Sequence, residues 1–283
     1  MHSNPIHWAN VRGAFVLLSC TNLASACADQ APIAPVAPVA PVAPVAPVAP
    51  ITTLEQLGGK AFAVPTGTVA DQLVTSKIPN ATFQYYNSVL DAAMAVKAGK
   101  ADAAAYDQPI LQNIAGKNPG LTVLSTPITV DEYGFAVRLG DDALKAAIDG
   151  VVRDARADGT YQQMMDRWLP KQGAPGAMPA VPAGDGSAGV LRFGTASVTE
   201  PFSFTDGSQA VVGFDIELAT RVAARLNKRL ELVNMDFGAM IPALMASKVD
   251  VIGACITITD ERKKSVLFSE SYYTGGISAL VRQ

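Results

Sequence analysis

The apolar residues of this chain keep a different rhythm in each of its stretches. After Arg12, the run "GAFVLLSCTNLASAC" carries no charge and ends in small residues. Residues 31–51 then place proline at every third position, which forbids helix and sheet and favours extended polyproline II. From residue 51 onward, short apolar runs alternate with helical periodicity. "KAFAVPTGTVADQLV" predicts a strand, a glycine turn and a helix opening near Thr68 or Val69. "SVLDAAMAVKAGKADAAAYD" predicts a helix with Leu90, Met94 and Lys97 at helical spacing, a glycine stop, and a strand to Tyr106. A strand from Tyr133, a helix over 142–157 and a last helix stopping at Pro170 close this block. Residues 171–189, rich in Gly, Ala and Pro and without periodicity, predict a flexible linker.

A second block then begins. "VLRFGTAS" predicts a strand, and "VVGFDIELATRVAARL" a helix with Ile216, Leu218, Val222 and Leu226 facing a core. "RLELVNM" predicts a strand, and "FGAMIPALMASKVDVIGACI" a helix followed by a strand. Alternating strands and helices put the chain in the α/β class, with mostly parallel sheets flanked by helices. In such sheets ligands bind beyond the carboxyl ends of the strands. Residues 66–69, Asp107, 195–199 and 256–262 all lie at such ends.

Composition narrows the function. The 283 residues predict two compact lobes, and 49% hydrophobic content supplies sizeable cores. A net charge of -3 offers no basic field for nucleic acid. The two histidines, His2 and His7, stand at the very start, which argues against histidine-based catalysis or metal ligation in the folded part. Cys20, Cys27 and Cys255 form neither a disulfide framework nor a zinc spacing. No cofactor is implied.

The leader, residues 1–27, reads as an export signal with a weak basic start. Ala24-Ser25-Ala26-Cys27 is similar to the box before a lipid-modified cysteine in bacterial lipoproteins, which makes Cys27 the lipid-anchor candidate; Cys20 is a second. The Pro-Val-Ala segment, residues 28–50, is then a stalk behind a membrane anchor, or a spacer of the same geometry. At ~3.1 Å per residue, roughly 20 residues of polyproline II reach about 60 Å. No other apolar run is long enough to span a bilayer.

Certain words in the second block are specific: "GFDIELA" at 213–219, "MDFGAMIPALMASKVDVI" at 235–252 and "ITITDERKKSVLFSESYY" at 256–273. They resemble the first lobe of polar amino-acid-binding periplasmic proteins (family 3, glutamine and lysine-arginine-ornithine receptors), the receptors of ATP-driven importers. "LEQLGGKAFAVPTGT", "KAGKADAAAYDQP", "YGFAVR" and "ADGTYQQMMDRWLP" resemble the remainder of the same family. The resemblance implies a two-lobed type II periplasmic-binding fold in an unfamiliar order. The family's opening block comes last here, as in a circular permutation. The expected organisation is second lobe 51–130, carboxy-terminal part of the first lobe 131–170, linker 171–189, and amino-terminal part of the first lobe 190–283. A slice out of phase from a tandem array, or a domain-swapped pair, gives the same order. If one hinge strand was cut, a single covalent crossing remains near residues 126–133.

The resemblance also implies a site. Arg262 takes an α-carboxylate bidentately, Thr257 adds a donor, Thr68 adds a backbone N–H at a helix start, and Asp107 pairs with the α-ammonium. Taken singly, Arg262 reads as a solvated charge, Asp107 as a turn initiator and Thr68 as a cap; together, at these positions, they read as a site. Phe237 is an aromatic wall of the side-chain end, and Cys255 stands where the family has glycine or serine. Ala196 and Thr199 replace an aspartate and an aromatic of the cationic and glutamine receptors, so a neutral or small amino acid is expected. Asp215 and Glu217 read as helix N-terminal charges, and Glu200 as facing solvent.

The function implied is an extracytoplasmic receptor, not an enzyme. It closes on a free amino acid and serves the membrane permease of an ABC importer from the periplasm or cell envelope, with lipid anchoring to a membrane. The alternatives are a ligand-sensing or degenerate module and a cyclohexadienyl dehydratase-like enzyme on the same fold.

Overall fold

A computed structural model describes residues 49–170, 173–182 and 184–283. The expected leader, the anchor candidate Cys27 and the stalk up to residue 48 lie outside the described residues. One lobe, called the second here, is built mainly from the first part of the described chain. Strands β1 (Ala61–Pro65), β2 (Thr82–Tyr86), β3 (Ala103–Asp107) and β4 (Leu121–Val123) alternate with helices α1 (Ala70–Thr75), α2 (Val89–Lys97) and α3 (Gln108–Lys117). In β1, Phe62 and Val64 enter one core with Ala103 and Ala105, while Ala63 enters the other with Ala104 and Tyr106. A strand covered on both faces needs the continuous apolar run seen there.

Helix α2 starts where the Ser88 hydroxyl accepts from the Asp91 N–H, and it buries Val89, Ala92, Ala93 and Val96. The predicted stripe through Leu90, Met94 and Lys97 is therefore rotated, and Leu90 is 50% exposed. The alanines let the helix lie close on β1 and β3, and Leu90 turns outward.

The chain crosses through β5 (Asp131–Tyr133) to β6 (Ala136–Arg138), α4 (Asp142–Ala157) and α5 (Thr160–Trp168) of the first lobe. Helix α4 keeps its predicted bounds, with Asp141 capping the Leu144 N–H. The described part of the segment expected as a flexible linker has no helix or strand, yet it is docked. Gly176 N–H donates to the Arg167 carbonyl at 2.7 Å, Ala188 N–H to the Asn227 carbonyl at 3.1 Å, and Met178 packs on the core.

Next come β7 (Val190–Thr195) and a small antiparallel sheet of β8 (Val198–Thr199), β9 (Ser203–Thr205) and β10 (Val211–Val212). Helix α6 (Phe214–Arg225) and strand β11 (Arg229–Asn234) follow, then α7 (Met240–Met245), β12 (Val251–Ile252), α8 (Asp260–Lys263) and β13 (Val266–Phe268). The chain returns through β14 (Tyr273–Gly275) to β15 (Ile277–Arg282).

The two large sheets share one plan. One has the order β2-β1-β3-β15-β4, the other β11-β7-β12-β6-β13. In each the central strands are parallel and the fourth strand is antiparallel to both neighbours. That fourth strand is the one just delivered by a crossing from the other lobe. The architecture is thus the expected α/β one, two lobes each with a mostly parallel sheet flanked by helices.

Two expectations about the crossings change. Ile277–Arg282 was placed with the first lobe by its neighbours in sequence, but it pairs with β3 and β4 of the second. Both crossings are also covalent: β5 and β14 pair antiparallel, with Tyr133 opposite Tyr273 and Asp131 opposite Gly275. The chain returns to the second lobe before it reaches Gln283, so the hinge is not reduced to one strand.

Candidate functional site

Two turns from opposite lobes meet across the cleft. Gly67, after β1, has φ +80°, and a Cβ there would lie 2.7 Å from the Gly238 Cα of the first lobe. Lys117, at the end of α3, forms an ion pair with Glu200 of the first lobe. Glu200 is therefore held across the lobes, with its side chain 22% exposed, and does not simply face solvent. Gly67→Ala is expected to hold the lobes apart, since a Cβ that close to backbone forces a shift. Gly99→Ala is the control: it shares positive φ, at +73°, but would meet nothing within 4 Å. Both lose about 1–2 kcal/mol of stability from left-handed strain. Only the first should raise the radius of gyration in small-angle scattering.

Asp107 ends β3 and is buried, 4% exposed. It accepts a hydrogen bond from the Tyr133 hydroxyl. Burial raises its pKa to about 7, against the lowering effects of that hydrogen bond and of Arg262. Arg262 approaches from the first lobe on the short helix α8, where the Thr259 hydroxyl accepts from its backbone N–H at 3.2 Å. The guanidinium is 9% exposed, donates to the Thr257 carbonyl at 3.0 Å and stands over the Phe237 ring at 5.5 Å. Burial pulls its pKa down while Tyr106 and Asp107 hold it up; a guanidinium keeps its proton through such shifts.

Thr257 is buried beside Arg262. The Thr68 hydroxyl donates to the Pro65 carbonyl at 2.9 Å and accepts from the Ala70 N–H at 3.4 Å. That hydroxyl is engaged locally, and α1 is only six residues long, so its dipole is weak.

Cys255 is buried with φ 51°, and its N–H donates to Asp215 at 3.0 Å. Burial pushes its thiol pKa well above the ordinary value. The Thr199 hydroxyl is engaged with the backbone carbonyls of Ala196 and Ser203. A cavity of 380 Å³ opens beside Ala196 and Thr199, lined also by Asn87, Ser88, Tyr106 and Phe237. A smaller pocket of 40 Å³ lies against Arg262 and Gly67 and shares Phe237 as a wall. A larger cavity of 590 Å³, between α3 and α5, includes none of the expected site residues.

Asp215 and Glu217 stand at the N-terminus of a helix, as read from the sequence. Both occupy the first turn of α6, and both are fully buried because α5, through Trp168, and the turn at Cys255 close over that turn. Burial raises the Asp215 carboxyl to about 7, against the Cys255 N–H. Its Oδ1 and the Tyr272 hydroxyl have no hydrogen-bond partner among the described residues. The site residues missed from the sequence are Tyr106 and Tyr133. Tyr106 directly precedes Asp107 and lines the larger cleft cavity; the sequence marked it only as the end of a strand. Nothing local marks Tyr133. Among the described residues no group of three or more His, Cys, Asp or Glu side chains is placed to hold a metal.

With that cleft in view, the chain is compared with known proteins. Residues 191–283 match the bacterial extracellular solute-binding proteins, family 3. This chain is 42% identical over 84 residues to the arginine-binding extracellular protein ArtP of Bacillus subtilis, covering 30% of this chain and 32% of that protein. The lysine/arginine/ornithine-binding periplasmic protein of Escherichia coli is 39% identical over 83 residues, 29% and 32% of the two chains. The ABC transporter glutamine-binding protein GlnH of Bacillus subtilis is 30% identical over 112 residues, 40% and 41%. The arginine-bound form of domain 1 from TmArgBP of T. maritima is 40% identical, with a TM-score of 0.31, covering 34% of this chain and 82% of that one. The chain spans about a third to two fifths of the curated relatives' length. They are named as binding proteins, not as enzymes. Among the described residues no helix is long and apolar enough to cross a membrane.

Proposed function

We propose that this chain is an extracytoplasmic receptor that closes its lobes on a free amino acid and presents it to the membrane permease of an ABC importer. One observation carries the reading. A buried cation, Arg262, and a buried carboxyl, Asp107, enter one cleft from opposite lobes, and neither is ion-paired with the other among the described residues. That is the complement of a zwitterion, whose carboxylate and ammonium each need a desolvated partner. A ligand touching both lobes favours the closed arrangement by its differential contacts.

The proposed ligand has a neutral, hydrogen-bonding side chain. Its compartment offers the polar side chains of Asn87, Ser88, Ser197 and Asn234, and its one carboxylate, Asp236, is exposed. With Ala196 where the resemblance implies an aspartate, a buried guanidinium or ammonium has no desolvated partner there. A volume of 380 Å³ also exceeds what a very small side chain fills.

The same reading includes export, a lipid anchor at Cys27, and a circularly permuted order whose join is residues 171–189. The permuted order is supported by the shared sheet plan, in which each crossing strand takes the fourth place in the opposite sheet. Glu200 is engaged with Lys117 and favours no catalytic reading.

Thermal-shift and calorimetric titration of the full chain with the common amino acids tests this. Neutral polar amino acids are expected to stabilise it, by about 2.7 kcal/mol at a hundredfold excess over Kd. Binding of arginine and lysine alone would overturn the side-chain assignment. A cooperative melt that no amino acid moves would overturn the receptor reading.

A further inference from the structure

One hinge residue touches both halves of the cleft. The backbone of Tyr133 pairs with Tyr273 on the opposite crossing strand and forms a separate antiparallel bridge to Thr257 of the first lobe. Its carbonyl accepts from the Tyr272 N–H at 3.0 Å. Its ring is fully buried, 5.6 Å from the Tyr273 ring and 6.2 Å from that of Phe202. Its hydroxyl donates to Asp107 of the second lobe. A phenylalanine would fill the same ring space, so packing does not account for the hydroxyl.

We propose that Tyr133 is a positioning residue whose hydroxyl orients the Asp107 carboxylate toward the ligand's ammonium and ties that orientation to the pairing of the two hinge strands. This rests on the amino-acid reading of the cleft. When the crossing strands shift in register or angle, the hydroxyl moves with them, and Asp107 loses its donor together with Thr257 losing its bridge. The carboxylate is then ready only when the hinge is set.

The charges facing Asp107 fix the sign of the pH effect. Tyr106 adjoins it on β3; Asp131 and Tyr133 face it from β5, and Tyr273 from β14. Asp215 of α6, Cys255 of the turn and Arg262 of α8 face it from the first lobe. Burial and Asp131 raise the Asp107 pKa, to about 7, and the Tyr133 hydrogen bond and Arg262 lower it. Below that value the carboxyl is neutral, so affinity for an ammonium falls, about tenfold per pH unit once well below it. Removing the hydroxyl removes a lowering effect, so the carboxyl's midpoint moves up and the loss of affinity reaches higher pH.

The test is Tyr133→Phe in the full chain, with Tyr273→Phe as a neighbouring control. Carboxyl-carbon NMR of the ligand-free protein reads Asp107 directly. The midpoint is expected to rise in Tyr133→Phe only, and an unchanged midpoint overturns the proposal whether or not any amino acid binds. With the amino acid that binds wild type, Kd at pH 7 should rise about tenfold, and the loss should shrink by pH 9, where the carboxyl is ionised, to the smaller part owed to its lost orientation. A loss of equal size at every pH would make Tyr133 a packing residue and overturn the proposal. If wild type binds no amino acid, the receptor reading fails, and the NMR midpoint still decides the role of the hydroxyl.

Discussion

Replacing Arg262 with alanine is expected to abolish ligand binding while leaving the fold intact. The side chain is 9% exposed, so a ligand carboxylate meeting it is also out of water. Taking one partner from a buried ion pair costs about 3–5 kcal/mol, because the remaining charge stays desolvated and unpaired. That corresponds to a loss of affinity of at least about a hundredfold. The ligand-free protein should hardly notice. Arg262 makes one side-chain hydrogen bond among the described residues, to the Thr257 carbonyl, and stacks over Phe237. Alanine even removes a buried cation whose partner arrives only with ligand. Lysine should fall between the two, since a single ammonium cannot match a carboxylate with two parallel donors. Calorimetry on the three proteins measures the affinities, and their ligand-free melts check the fold. Alanine binding as tightly as wild type would remove Arg262 from the site, and with it the zwitterion reading.

The same arginine shows how much of the cleft was legible. The run "ITITDER" taken alone leaves Arg262 a solvated charge, and only the resemblance carried by the longer word around it puts Arg262 at a site; the structure then shows the short helix and its Thr259 cap. Helix α4 was legible locally: apolar periodicity sustained over 16 residues and an aspartate cap. Legibility failed where the deciding partner lies far along the chain. Nothing within "ISALVRQ" says which sheet it joins, because its partner Ala103–Asp107 is a hundred and seventy or so residues away. Tyr133 looks like any strand residue until the fold puts its hydroxyl on Asp107. In α2 the pattern contained two stripes, and packing close to the sheet selected the alanine one. The strap after α5 lacks periodicity because its contacts are isolated backbone bonds, and composition alone cannot distinguish that from freedom.

Glu217 is the case where local grammar misled most, and it carries the largest expected effect on stability. An acid in the first turn of a helix is ordinarily a solvated partner of the helix dipole, worth well under 1 kcal/mol to about that. Here the carboxylate is fully buried, and its Oε2 accepts from Arg167 and from the Trp168 indole N–H, each at 2.7 Å. Its Oε1 accepts from Arg221 at 2.6 Å. Arg167 and Trp168 belong to α5, and Arg221 to α6, so one carboxylate holds the two helices together. Glu217→Ala leaves a buried indole N–H without an acceptor, about 1–3 kcal/mol, and two arginines that are still partly solvated. A total of about 3 kcal/mol is expected, near the lower end for breaking a buried ionic contact because both arginines can regain water. For a domain of this size that lowers Tm by roughly 6–12 °C. Glu217→Gln keeps an acceptor for the indole and should lose less. The loss should be local first, because α5 also anchors the strap through the bond from Gly176 to the Arg167 carbonyl. Hydrogen exchange in the alanine variant is therefore expected to show α5 and the strap opening ahead of both sheets, with ligand affinity at low temperature unchanged. If the alanine variant melts like wild type, the carboxylate does not hold α5 to α6, and the docked strap needs another anchor.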